Sequence, residues 1–327
     1  MNLPPWLFNA ALRVFIRLPL SWIKSPDVLR RRFERNARLT FVTPQGAQFA
    51  EDRIRCEDGR LMRGLWASVG RPDRRRVILL LHGGAFLVGT PETHKHLAAA
   101  LAKAAGARAF VPAYRLAPED PFPAAVEDVL CAYRHLLADR DPAEIAVVGD
   151  SAGGGLAFAL LLAAQKAGLP PPAAVVGFSP FTDLTLSAPS IRRNARIEAM
   201  LPPQRAQECV DNYLQGADPE NPLASPALGQ FQNPPPALIL ASTVELLTDN
   251  STMMADALRR DGGDVQIEIW PGLPHAWPLF IGHLGAADRA VALAGAFMAE
   301  QMGDTRPRNA PGDHGQTPRP GESRDAR

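Results

Sequence analysis

The chain lacks most of what would place it at a glance. Its 327 residues include three cysteines and almost no net charge. Cys56, Cys131 and Cys209 are too few for a disulfide scaffold and stand at no metal-ligand spacing, so a reducing compartment, the cytoplasm, is the default expectation. Thirty-five Lys/Arg against 34 Asp/Glu leave a formal charge of +1, which argues against bulk electrostatic binding of nucleic acid. Long apolar runs are also absent. The N-terminal MNLPPWLFNAALRVFIRLPLSWI comes closest, but Arg13 and Arg17 interrupt it well before the roughly 18 residues a spanning helix needs. No positive n-region precedes it and no convincing small-residue cleavage site follows, so no secretory signal is expected. There is no internal repeat.

Proline is in excess instead: 32 residues, about 10% against a usual share of roughly 5%. Four fall in the last stretch, from about Gly303, where Pro, Gly, Arg and Asp alternate with scarcely an apolar side chain. Such a segment cannot offset its ordering entropy, so residues 302–327 read as a disordered tail. The apolar content of 46% means the remainder can build a core.

At the N-terminus, Leu7, Ala11, Val14 and Leu18 recur at helical spacing, with Pro4 and Pro5 suited to a helix start and Pro19 to its end. Residues 1–40 hold eight Lys/Arg against two Asp/Glu. A basic amphipathic helix can lie on an anionic membrane surface. Packing of its apolar face on the rest of the protein is the first expectation.

Between about 50 and 300, short apolar runs alternate with helical ones. Strands are expected at Val77–Leu81, Ala109–Pro112, Ile145–Val148, Ala174–Phe178, Ala237–Ala241 and Val265–Trp270. Helices are expected at His96–Ala105, Ala124–Ala138, Gly155–Ala167, Met253–Asp261 and Ala286–Glu300. Continuous apolar strands separated by amphipathic helices imply an α/β protein with a mostly parallel sheet covered on both faces. Ligands and catalytic groups gather at the carboxyl ends of such strands.

Gly149-Asp150-Ser151-Ala152-Gly153 follows the third strand and opens a helix. This is G-x-S-x-G in a strand–turn–helix setting, a nucleophile elbow. The turn strains the Ser151 backbone, and side chains two residues to either side would collide, so both are Gly. The first amides of the helix then point at the Ser hydroxyl with the positive end of the dipole. His82-Gly83-Gly84-Ala85-Phe86 follows the first strand, where consecutive glycines let backbone N–H groups face a cavity, as an oxyanion hole requires. A reading of the Gly-rich 149–155 segment as a nucleotide site fails, because no Gly-Lys-Ser/Thr follows.

A serine hydroxyl needs a base. Of the seven His residues, His275 stands in a loop just past the last strand and is the choice. His314 falls in the tail, His135 in a helix, His283 beyond the loop and His82 in the glycine turn. His94-x-His96 lacks a third ligand, so no metal is expected. The acid that orients the imidazole lies after the fifth strand, where Glu245 and Asp249 compete. Asp249 suits a helix N-cap, so Glu245 is preferred. The order Ser151, Glu245, His275 is that of α/β-hydrolases.

Over roughly residues 40–300 the sequence resembles the bacterial hormone-sensitive-lipase-like carboxylesterases and lipases of the α/β-hydrolase fold. His82-Gly83-Gly84-Ala85-Phe86 resembles their HGGG-aromatic segment, with Ala85 in place of the third glycine. Tyr114 to Glu119, with Pro123-Ala124-Ala125, resembles the YRLAPE…PAA signature. Gly149 to Gly154 is similar to the GDSAGG elbow, and Ser179-Pro180 to Asp183-Leu184 to an SP-x-x-DL segment. Glu245 to Asp249 aligns with an Asp-Pro-Leu-x-Asp segment, which puts Glu245 at the acid position. The resemblance implies oxyanion donors at Gly83, Gly84 and Ala152. It also implies a helical cap made of residues 1–45 and 182–225 over a catalytic core of 46–181 and 226–301.

The function implied is hydrolysis of short-to-medium-chain acyl esters through an acyl-enzyme, without a cofactor. An amidase or peptidase of the same fold is the alternative, with a non-catalytic ligand-binding homologue behind it. The partner expected is a small-molecule ester. Membrane contact and a homodimer stay open.

Overall fold

The computed structural model describes residues 4–23 and 25–303; of the tail expected over 302–327, Met302 is buried in the core and residues 304–327 lie outside the described residues. At the N-terminus α1 (Pro5–Leu12), a π-helical turn (Arg13–Arg17) and α2 (Leu18–Trp22) run on continuously, and α3 spans Pro26–Thr40. Next come β1 (Ala47–Arg55), β2 (Leu61–Val69), β3 (Val77–Leu81), α4 (Pro91–Ala105), β4 (Arg108–Pro112), α5 (Ala124–Leu137), β5 (Ile145–Asp150), α6 (Ala152–Lys166) and β6 (Ala174–Phe178). Two helices, α7 (Ser190–Arg193) and α8 (Pro203–Leu214), precede β7 (Ala237–Ser242), α9 (Thr248–Arg260), β8 (Val265–Trp270) and α10 (Gly285–Gln301).

The eight strands form one sheet in the order β1-β2-β4-β3-β5-β6-β7-β8. The six from β4 to β8 are parallel, and β1 and β2 join antiparallel at one edge. All six apolar runs read from the sequence are strands. The edge pair was not anticipated, because β1 (AQFAEDRIR) is mostly exposed and carries too few apolar residues to read as a buried strand.

Alternation along each parallel strand feeds two cores. Val77, Leu79 and Leu81 of β3 join the cluster with α5 and α6, while Ile78 and Leu80 join the one with α4 and α10. This double cover explains why the strands read as unbroken apolar runs.

Cys56 and Cys131 form a disulfide across 75 residues of chain, and Cys209 is free and buried. This corrects the expectation of unpaired thiols on which a reducing compartment rested. Pairing depends on the β1–β2 edge lying against α5, which the spacing of the cysteines does not show. Among the described residues no helix is long and apolar enough to cross a membrane.

Candidate active site

The site lies at the carboxyl ends of the strands, as an open parallel sheet dictates. Ser151 sits between β5 and α6 with φ 53° and ψ −119°, a strained conformation held by packing. The flanking glycines leave room for it. A Cβ on Gly149 would lie 2.1 Å from Gly153 O, and one on Gly153 would lie 2.0 Å from Leu81 O.

His275 follows β8 in a loop that is tied down at two points. Leu273 N–H donates to Ser242 Oγ (3.0 Å) and Ala276 N–H to Ser179 Oγ (3.1 Å). His275 Nε2 is 2.8 Å from Ser151 Oγ, and its Nδ1 is 2.7 Å from Glu245 Oε2. The other carboxylate oxygen of Glu245 accepts the Ser242 N–H at 2.6 Å. Ser151, His275 and Glu245 thus form one hydrogen-bonded line, and Glu245 is fully buried. Asp249 lies elsewhere. Its carboxylate accepts from Ser190 N–H and from both terminal nitrogens of Arg193. Nor is it an N-cap: α9 already begins at Thr248, so Asp249 adds its charge to the positive helix end from within the first turn.

Burial alone would lower the pKa of His275. The hydrogen bond and charge of Glu245, with further charge from Glu198 and Asp150, outweigh it, so the imidazole sits above its ordinary 6.5.

The glycine turn departs from expectation at one residue. The Gly83 N–H donates to Asp150 Oδ1 at 2.9 Å and so already has a partner. The Gly84, Ala85 and Ala152 amides carry no hydrogen bond among the described residues. Gly83, Gly84, Ala85 and Ser151 all line one cavity. Gly84 must be glycine: its φ is +125°, and a Cβ would lie 2.2 Å from Val88 O.

His82 is a fastening. It is buried and stacked on Tyr114, whose hydroxyl donates to His82 O at 2.6 Å. Burial, with the charge of His94, drops its pKa to about 3, so it stays neutral.

The rest of the tyrosine signature also works as scaffold. Arg115 clasps Asp128 of α5 through Nε and a terminal nitrogen, and Glu119 pairs with Arg30 of α3. His94 and His96 face different partners, Asp150 and Leu279 O respectively. No cluster that could hold a metal occurs among the described residues. His135 touches Phe110, His283 bonds to Thr40 O, and His314 lies outside the described residues.

Two carboxylates at the site escaped the sequence reading. Asp150, the variable position of the elbow motif, joins elbow to glycine turn. Burial raises its pKa, but the charge of nearby His94 and the Gly83 N–H prevail and hold it low. Glu198 precedes α8 in a stretch with no periodicity. It is buried and accepts N–H bonds from Met200 and from Leu246, the neighbour of Glu245. Only the first had a sequence signal, its place in GDSAGG.

Above these groups is a cavity of about 480 Å³, within the usual range for small-molecule sites. Its walls are largely the inward faces of α1–α3, among them Phe8, Leu12, Ile16 and Phe33, with Met200 and Leu201 before α8. Arginines fasten these pieces together: Arg13 and Arg17 donate to carbonyls of residues 195–198, and Arg205 of α8 to those of Leu20 and Ile23. The arginines that break the apolar run in the sequence are therefore structural clamps.

A strand–Ser–helix elbow, a relayed histidine and a mostly parallel eight-stranded sheet define a hydrolase architecture, and the family comparison agrees. Residues 78–279 match the model of an alpha/beta hydrolase fold family, and the chain belongs to that family. Within it the chain falls in the bacterial hormone-sensitive-lipase-like branch. It is 41% identical over 240 residues to an acetyl-hydrolase of Streptomyces hygroscopicus, covering 73% of this chain and 80% of that protein. It is 28% identical to an esterase of Acinetobacter venetianus, covering 87% and 92%. Among solved structures, an esterase from the bacterial hormone-sensitive lipase family superposes with a TM-score of 0.85 at 34% identity. That match covers 93% of this chain and all (100%) of the other.

Proposed function

We propose that the chain is a serine carboxylesterase that hydrolyses short-to-medium-chain acyl esters through an acyl-enzyme. The observation that supports this most is the unbroken line Ser151–His275–Glu245, ending in a hydroxyl at the floor of an apolar cavity. In this reading His275 Nε2 takes the Ser151 proton as Oγ attacks the ester carbonyl. Glu245 holds the Nδ1–H tautomer and stabilises the imidazolium. His275 then returns the proton to the leaving alcohol and activates water for deacylation. The Gly84, Ala85 and Ala152 amides, which have no other partner among the described residues, are proposed as oxyanion donors in place of the expected set headed by Gly83. Each such donor is worth roughly 3–4 kcal/mol in the transition state.

Residues 1–45 and 182–225 act as the cap, the core being 46–181 and 226–301. Arginine clamps joining the two cap pieces, and the cavity they share, support that division. No step calls for a cofactor. The names of the relatives, esterase and acetyl-hydrolase, favour an ester over an amide.

Ser151→Ala should leave the fold intact and reduce turnover of p-nitrophenyl acyl esters by roughly 10³-fold or more. An acyl series from acetate to palmitate should peak below the long chains. Full activity of the variant would sink the mechanism, and a palmitate optimum would sink the chain-length assignment.

A further inference from the structure

The N-terminal helices turn an apolar surface outward that stays exposed among the described residues. Phe8, Asn9 and Leu12 of α1 are buried, and Phe8 packs edge-on against Phe280. The other side of the same run is apolar too. Leu7, Val14, Leu18 and Trp22 recur there at helical spacing, and all are exposed. Trp6 and Trp22 stand near its two ends, 72% and 83% exposed. Soluble helices seldom leave two indoles in water. Amphipathic helices at a bilayer interface place them at headgroup level.

Charge is supplied by α3. Arg31, Arg35 and Arg38 occupy positions i, i+4 and i+7, so they share a face. All three are exposed, and none of their side chains has a hydrogen bond or ion pair among the described residues. Val28 and Leu39 of the same helix are exposed beside them.

The cavity links the two helices. Both α1–α2 and α3 line it, and Phe15 lines it while remaining 68% exposed, so the cavity opens where the apolar stripe lies.

We propose that the outward face of α1–α3 docks on an anionic phospholipid bilayer, presenting the mouth of the cavity to the lipid. The occupant follows from complementarity. A second copy related by a two-fold axis would set arginine against arginine, whereas anionic headgroups neutralise all three and the hydrocarbon boundary takes the tryptophans. Docking is monotopic, since no described helix can span. Esters dissolved in the membrane would then reach Ser151 without crossing water, a consequence that rests on the esterase reading. The docking itself does not.

The test is sedimentation of the full-length chain with phosphatidylcholine vesicles, with and without phosphatidylglycerol, at rising salt. Binding is expected to need the anionic lipid and to weaken with salt. Arg31→Gln, Arg35→Gln and Arg38→Gln should each lower partitioning roughly fivefold, and Trp6→Ser with Trp22→Ser about tenfold or more. None of these side chains lines the cavity, so hydrolysis of soluble p-nitrophenyl butyrate should be unchanged in every variant, which also certifies their fold. Absence of vesicle binding, or equal binding by the variants, overturns the proposal. So does a concentration-dependent dimer that the tryptophan variant dissolves without any vesicle association, which would assign the face to a second copy. A chain that binds vesicles yet hydrolyses no ester would count against the esterase reading alone.

Discussion

At the scale of single residues the site is governed by buried charge. In the proposed mechanism His275 must be neutral to take a proton, and its pKa lies above 6.5 because Glu245 and more distant carboxylates outweigh its burial. Activity should therefore rise with pH along a limb whose midpoint exceeds 6.5, seen in kcat/KM for the free enzyme. Glu198→Gln removes one of the charges that hold the imidazole up, so the limb should move to lower pH. A limb that stays in place would mean that Glu198, whose own pKa burial raises, is protonated and acts only through its hydrogen bonds. The two acids of the β7–α9 segment separate on the same logic. In Glu245→Gln an amide facing Nδ1 favours the wrong tautomer, with a loss of the order of 10⁴-fold in kcat. Asp249→Asn touches only Ser190 and Arg193 and should stay within about tenfold of wild type. Steady-state kinetics of the two variants settles the assignment; the reverse ranking would transfer the role to Asp249.

Among the elements, the elbow shows why sequence reasoning reached so far. Gly149 and Gly153 are fixed by backbone contact: a Cβ on Gly153 would sit 2.0 Å from Leu81 O and 2.4 Å from His82 O. Gly153→Ala should cost about 3 kcal/mol or more, read as a thermal midpoint several degrees lower. An unchanged midpoint would show that the strand–helix approach can relax. The six parallel strands were legible because both faces are covered and their residues are uniformly apolar. The elbow was legible because its spacing is steric. The β1–β2 edge was not, since one-sided exposure dilutes its pattern with charge. α3 was missed although Leu29, Phe33 and Ala37 stand at helical spacing on its inner side, because its many arginines mask the stripe. The bond of the Gly83 amide to Asp150 was not legible, because motif letters do not show which N–H a neighbouring carboxylate has taken. Glu198 had no signal: it reaches the site through tertiary contacts alone.

In the whole molecule, distant pieces of chain are held over one serine. Arg13, Arg17 and Arg205 bind the N-terminal helices to the segment of residues 195–205, Asn9 reaches the carbonyl of Gly272 before the histidine, and Arg30 fixes α3 to the tyrosine signature. The Cys56–Cys131 bond closes a loop of 75 residues between sheet edge and α5. In the chain-entropy model such a closure contributes roughly 4–5 kcal/mol. Unfolded but unreduced protein should accordingly show one reactive thiol, Cys209, and reduction should raise this to three while lowering the thermal midpoint. Three thiols before reduction would remove the bond from the account. In the proposed mechanism Ser151 is the nucleophile. Incubation with a fluorophosphonate, followed by mass spectrometry of the intact chain and its peptides, tests that most directly. A single adduct on Ser151 is predicted, formed far more slowly in His275→Ala and absent in Ser151→Ala. An adduct on another residue, or undiminished labelling of the Ser151→Ala chain, would contradict it.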